Sequence, residues 1–358
     1  MQIQILEPSE AISGDDFFLL ALRDGDGRFG FGEITLPTGA AWASVLQMVK
    51  GCAAQIAVTD LRSINVALDA VSSVTDRDAS FGPRVRAAFD CAIHDLNGKL
   101  RGCPVHMMLG GSYRHKVALS QRIPNGAKVP LAQQTAGAVV LEYRPDAARK
   151  PASFGAASSA AWLEAAIERL GAGVQVDIDA DGLFDNPALA RTFVEGLLKA
   201  APRLNIGLIQ PLHDADLVGH ATLCATLPVP VILDASVRSA KLMGQIVRLA
   251  AADRIVLNLD RVGGLRAAMQ VVAIAEAASI GISSASFART AIGAAAALHL
   301  ATVLHGTFPA QLDHLQLDKG LIAATGFTIS DHMAVMGSAP GLGVVLNDDA
   351  IARFQNIA

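Results

Sequence analysis

Asp179, Gln210, Asp234, Asn258 and Asp313 stand at or just past the ends of five different short apolar runs. If those runs are parallel strands of one closed barrel, the five side chains converge on a single mouth. Carboxylates and amides gathered there form a polar pocket of the kind in which barrel active sites are built. The plainer role of any one of them is to end its strand and cap the next helix. Five polar ends on five strands favour a shared pocket. His314 beside Asp313 could join it, whereas His213 and His220 lack an H-E-x-x-H spacing and read as surface or capping residues. His94 and His299 lie in apolar helical patterns and read as core or interface histidines. The chain has no G-x-S-x-G nucleophile elbow, no G-x-G-x-x-G directly following its first strand and no C-x-x-C among its four cysteines.

The elements that must position these residues follow two rhythms. Gln2–Leu6, Asp16–Arg23 and Phe29–Ile34 read as strands, followed by helical patterns over Ala41–Ala57, Ile64–Val74 and Pro83–Arg101. This is the pattern of a small α+β domain. From about Val117, short aliphatic runs alternate with helical segments. The strands are expected at Val117–Ser120, Ala138–Tyr143, Val174–Asp179, Ile206–Ile209, Val229–Leu233, Ile255–Leu259, Gly281–Ser284 and Pro309–Asp313. Eight such repeats predict an α/β barrel, with a doubly wound sheet as the main alternative.

Composition narrows the function classes. Of 358 residues, 52% are hydrophobic and 17% charged, enough for a large core. A net charge of −4 without basic runs gives no reason to expect nucleic acid. The most apolar stretch, Ala285–Leu304, is interrupted by Arg289 and His299, so it reads as a buried helix and not a membrane span. Scattered cysteines and the absence of an export-like N-terminus suggest a cytoplasmic protein with free thiols.

Several motifs add a resemblance. Phe29-Gly30-Phe31-Gly32-Glu33 is similar to the G-x-G-E element of the mandelate racemase and muconate lactonizing enzyme group of the enolase superfamily. Residues 86–111 resemble the helix that closes that group's capping domain. VDIDADG at 176–182, LDAS at 233–236, RVGGL at 261–265 and APGLGV at 339–344 follow in the family's order. The resemblance implies a capping domain over a modified (β/α)7β barrel, with boundaries near 1–115, 116–325 and 326–358 and self-association into a homo-oligomer. It also implies removal of a proton α to the carboxylate of a small acid, with Mg2+ stabilising the enediolate.

Carried over position by position, that machinery is incomplete. Asp179 and Asp234 match two metal carboxylates, with Asp181 or Gln210 as further oxygens. The third carboxylate is Ile209, which offers a hard cation no lone pair, so only weak Mg2+ binding is expected. Ala235 replaces a typical Glu. The Lys-x-Lys of the second strand becomes Glu142-Tyr143-Arg144, and the sixth-strand Lys becomes Asn258. Arg144 stays protonated and cannot readily serve as a base. Glu142 and Arg144 share one strand face and read most simply as an ion pair; the functional alternative makes Glu142 the base and has Arg144 and Arg289 clamp a substrate carboxylate. Asp313 joins Arg289 as a candidate substrate contact. The short link Glu10–Asp15 predicts an open mouth. Two readings remain: a divergent isomerase- or lyase-lineage enzyme, and a non-catalytic ligand-binding or assembly scaffold.

Overall fold

The computed structural model of the chain describes residues 2–6, 17–36, 42–128, 138–144, most of 163–170, 174–200, 205–306, 308–312, 315, 321–353 and 355–356. Asp313, His314 and the link Glu10–Asp15 lie outside these residues.

The N-terminal region forms an antiparallel sheet from β1 (Gln2–Leu6), β2 (Phe17–Arg23) and β3 (Phe29–Thr35), with the strand Gln355–Asn356 added beside β1. Strand β2 is apolar at six consecutive positions because both of its faces are covered. Phe18, Leu20 and Leu22 pack with helices α1 (Trp42–Ile56), α2 (Ile64–Thr75) and α3 (Gly82–Arg101). Phe17, Leu19 and Ala21 pack toward the barrel.

The G-x-G-E motif has a physical reason here. Gly30 and Gly32 lie against α3 so closely that an added Cβ would fall 2.1 Å from the Ala92 carbonyl oxygen and 2.0 Å from that of Ala88. Glu33, on the opposite face, is buried toward the barrel. Helix α3 is itself buried along most of its length, and its polar residues are joints. Asp95 accepts from the Phe31 N–H at 2.9 Å, the Leu342 N–H at 2.8 Å and Lys99 Nζ at 2.7 Å. One carboxylate thereby ties the capping sheet, its central helix and the C-terminal segment together. Asp90 similarly accepts from the Arg266 N–H at 3.0 Å and pairs with His94 at 2.8 Å.

Seven parallel strands form the barrel wall: β5 (Gln121–Ile123), β6 (Ala138–Glu142), β7 (Gln175–Asp179), β8 (Asn205–Ile209), β9 (Val231–Leu233), β10 (Arg254–Asn258) and β11 (Gly281–Ala285). Ala310 and Gln311 close the ring, bridging Leu119 on one side and Ala285 on the other. The barrel with a capping domain expected from the alternating pattern is therefore what the chain forms. One strand differs. Lys116–Ala118, β4, belongs to an antiparallel sheet with Phe327–Ser330 and Met333–Met336, so the first barrel strand is Gln121–Ile123 and not Val117–Ser120. An apolar run of this length suits either sheet, and its pairing partner lies some two hundred residues away.

The barrel interior contains an ion pair. Arg254 grips Asp177 with two nitrogens at 3.2 and 3.0 Å, and both residues are buried. Glycines on neighbouring strands make the room: a Cβ on Gly207 would meet Asp177 Oδ1 at 2.3 Å, and one on Gly281 would meet Phe308 at 2.4 Å. The Phe308 ring lies 4.3 Å from the Arg254 guanidinium.

Because Gly32 is pressed against helix backbone, which cannot swing aside, Gly32→Ala is expected to lower stability by about 1–3 kcal/mol, the usual range for overpacking. Urea midpoints of the two proteins check this.

Candidate active site at the barrel mouth

Register places Glu142, Asp179, Ile209 and Ile232 in one row across β6, β7, β8 and β9. The first half of the row is acidic and the second apolar. Ile209 packs with Val140, Ile232, Val256 and Ala285, sealing the side of the mouth where the resemblance places a carboxylate.

The acidic half is met by arginine. Arg122 on β5 reaches Asp179 Oδ2 at 2.7 Å and Glu142 Oε1 at 3.2 Å, and its other terminal nitrogen lies 3.4 Å from Gln311 Oε1. Arg144 approaches from the other side, donating to the Asp179 carbonyl at 2.5 Å and to Asp179 Oδ2 at 3.2 Å. Its pairing with Asp181 is looser, at 3.5 Å. The Glu142–Arg144 ion pair read from strand alternation is thus replaced: Glu142 pairs with Arg122, and Arg144 with Asp179. Alternation did put both residues on one face, but each found a nearer partner on a neighbouring strand.

Asp234 pairs with Arg261, and its N–H donates to Gln210 Oε1 at 3.0 Å. Gln210 itself is buried with φ +43°, and also accepts from the Ser236 N–H at 3.2 Å. It therefore shapes the LDAS loop. Asn258 caps the short helix Leu259–Val262, its Oδ1 accepting from the N–H groups of Asp260 at 3.0 Å and Arg261 at 3.3 Å. Asn258 Oδ1 thus takes the plainer capping role, Gln210 braces the loop after β9, and the two aspartates are ion-paired. His213 is exposed beside Asp214, but His220 is fully buried, its Nε2 accepting from the Leu212 N–H at 3.3 Å. His94 and His299 are buried as expected.

Arg289 follows β11 in a loop fixed from the capping domain. Glu33 accepts from the Arg289 N–H at 2.5 Å, from Thr290 Oγ1 at 2.7 Å and from the Gly293 N–H at 3.4 Å. It thereby supports the N-terminus of the helix Ala291–Val303, where negative charge is favourable.

Arg122 and Arg261 are the site residues that sequence reasoning did not single out. Arg122 was hidden because its strand is three residues long and looked like a link. Arg261 opens the quoted RVGGL element, three positions after Asn258, and that spacing was the available signal.

The donor set does not fit Mg2+. That ion requires near-octahedral oxygen ligation at about 2.0–2.1 Å. Here one expected carboxylate is Ile209, and Asp179 and Asp234 already face guanidinium groups. Among the described residues, no group of three or more His, Cys, Asp or Glu could hold a metal ion. Nor is any described helix long and apolar enough to cross a membrane.

A capping sheet and helices set over a parallel barrel, with an ionic mouth at the C-terminal strand ends, define the capped-barrel class of fold. The mandelate racemase / muconate lactonizing enzyme N-terminal domain profile matches residues 9–110, and the enolase C-terminal domain-like profile matches 136–350. The chain belongs to the mandelate racemase/muconate lactonizing enzyme group of the enolase superfamily. It is 27% identical to muconate cycloisomerase 1 of Rhodococcus opacus, over 96% of this chain and 92% of that protein. It is 23% identical to N-succinyl-L-Arg/Lys racemase of Bacillus cereus, with 95% and 91% covered. Among solved structures, a Cytophaga hutchinsonii dipeptide epimerase complexed with Mg and a dipeptide superposes with TM-score 0.83 at 15% identity, covering 99% of this chain and 98% of that one.

Burial pushes the Glu33 carboxyl from 4.5 up to about 7, against the pull of the Arg289 N–H and Thr290 hydroxyl. The folded chain then holds this proton more tightly than the unfolded chain. The stabilisation is fully present below about pH 4.5 and is lost as pH rises through about 7. Glu33→Gln, which cannot titrate, should flatten the pH dependence of the urea midpoint across that window; an unchanged slope would refute the assignment.

Proposed function

We propose that this chain takes a small carboxylic acid at the β5–β7 side of the mouth and moves the proton α to its carboxylate without the family's three-carboxylate metal centre. The observation that carries this reading is the pair of guanidinium groups converging on Asp179 beside Glu142. The names of the relatives, cycloisomerases, racemases and epimerases, supply the reaction class.

The chemical demand is stabilisation of an enediolate. Preorganised positive charge close to the developing oxyanions meets that demand in a partly desolvated site. The Arg144 side chain retains 38% of its exposure, so it can present N–H groups to an incoming carboxylate in the two-pronged geometry that arginine favours. Arg289 is the second clamp in this reading, its backbone anchored by Glu33. Glu142, with 28% side-chain exposure, is the base that accepts the α-proton. Arg122 and Asn258 are positioning residues: Arg122 holds Glu142 and Asp179 in line, and Asn258 sets the turn that carries Arg261. Asp179 and Asp234 serve as counterions for arginine, and any affinity for Mg2+ is weak.

The non-catalytic scaffold is the second reading. It is favoured by the apolar seal around Ile209 and by the pairing of both retained aspartates.

Incubation of small α-substituted acids in D2O with EDTA present separates the two. The catalytic reading expects deuterium at the α-carbon, reduced about 10²-fold or more in Glu142→Gln, the scale of a lost general base. Binding without exchange across the panel leaves the scaffold. Millimolar Mg2+ or Mn2+ is expected to leave the melting temperature of the wild type unmoved. A metal-dependent rise that disappears in Asp179→Asn would instead restore a metal-centred mechanism.

A further inference from the structure

A second cluster of arginines lies where the capping domain meets the loops after β9, β10 and β11. It lines a cavity of about 540 Å³ whose walls include Ser80 and Arg84 from the capping side and Arg238, Asp260, Arg261 and Phe287 from the barrel. The guanidinium groups of Arg84 and Arg261 sit 4.7 and 5.3 Å from the centre of the Phe287 ring.

The charges here are unevenly matched. Arg238 pairs with Asp214, and Arg261 with Asp234. Asp260, buried at the cavity wall, accepts from Ser286 Oγ at 2.9 Å and the Phe287 N–H at 2.8 Å. Arg84 donates to the Thr35 carbonyl oxygen at 2.8 Å but makes no ion pair with any described residue. Burial lowers its pKa, as does Arg261, while Asp260 opposes the fall. The other two arginines each have a carboxylate partner, whereas Arg84 has the Thr35 carbonyl and only the field of Asp260, so its guanidinium fork is the one able to take an added anion.

We propose that this cleft is a second ligand site, binding the carboxylate or phosphate group of a small anion between Arg84, Arg238 and Arg261. Three forked guanidinium groups offer the planar, multiple N–H donation that such oxygens accept, and the Phe287 ring holds two of the forks in place. Arg261 is shared with the mouth through Asp234, so the two sites adjoin. The cleft does not depend on the proton-transfer reading: Arg261 touches the mouth as the partner of Asp234, and Arg84 and Arg238 have no role in that chemistry.

The test is calorimetric titration of the intact protein at low ionic strength with inorganic phosphate and, separately, with succinate. Saturable binding of either probe is expected. Preference for phosphate assigns the site to phosphate esters, and preference for succinate assigns it to carboxylates. Arg84→Ala should weaken binding by about tenfold or more, with Arg84→Lys between the two because it keeps charge but not the fork. Arg84 also supports Thr35, so Arg238→Gln, at a half-exposed position, provides a second variant with an expected several-fold loss. Arg144→Gln should leave this binding intact. The proposal is overturned if neither probe binds saturably, if Arg84→Ala and Arg238→Gln bind like the wild type, or if only Arg144→Gln loses binding, which would place the anion at the mouth.

Discussion

A carboxylate at the rim of an apolar barrel must either keep its water or find a positive charge, since burying it uncompensated costs several kcal/mol. Asp179 is 9% exposed and meets that demand with two guanidinium groups, from β5 and from the loop after β6. Once Arg122 and Arg144 stand there, the rest of the mouth follows. Glu142 is drawn to Arg122. Asp234 takes its own arginine from the next loop but one. The place left for a third acidic ligand can be apolar, and Ile209 joins the seal made by Val140, Ile232, Val256 and Ala285. The site is a self-neutralised ionic network, and a divalent cation entering it would have to displace fixed cations from both aspartates.

The capping domain holds that network in place through buried polar joints and close backbone packing. Gly30 and Gly32 let β3 settle onto α3, which sets the height of Glu33 above the barrel. Glu33 then fixes the Arg289 loop and the start of the helix Ala291–Val303, while Asp95 ties the same strand to the C-terminal segment. Each joint is worth more as a fully satisfied buried group than a surface pair would be. Disturbing the cap is therefore felt at the loops after β10 and β11, where Asp260, Arg261 and Arg289 sit.

Much of the fold was legible in the chain, because apolar spacing reports which faces are buried whatever the partner. The run of β2, the stripe of α3 and the repeat of short strands all read correctly. The first barrel strand did not, since Lys116–Ala118 and Gln121–Ile123 are both short and only pairing tells them apart. The site was legible in part. Asp179, Asp234, Glu142 and Arg144 all lie at the mouth, yet the Glu142–Arg144 pairing read from alternation gave way to cross-strand partners. Arg122 went unmarked because an isolated arginine carries no motif, and Arg261 because RVGGL marks the family without showing which charge its arginine meets.

What the sequence determined by itself was the inventory: the barrel rhythm, the ordered family motifs, the isoleucine at 209, and the lack of lysine at 142, 144 and 258. These are properties of local spacing and residue type. What only the tertiary structure decided was the pairing of charges. Arg122 and Asp179 are 57 residues apart in the chain, and Glu33 and Arg289 are 256 apart. Ionic partners are chosen by distance in space, and barrel closure and the seating of the cap set those distances.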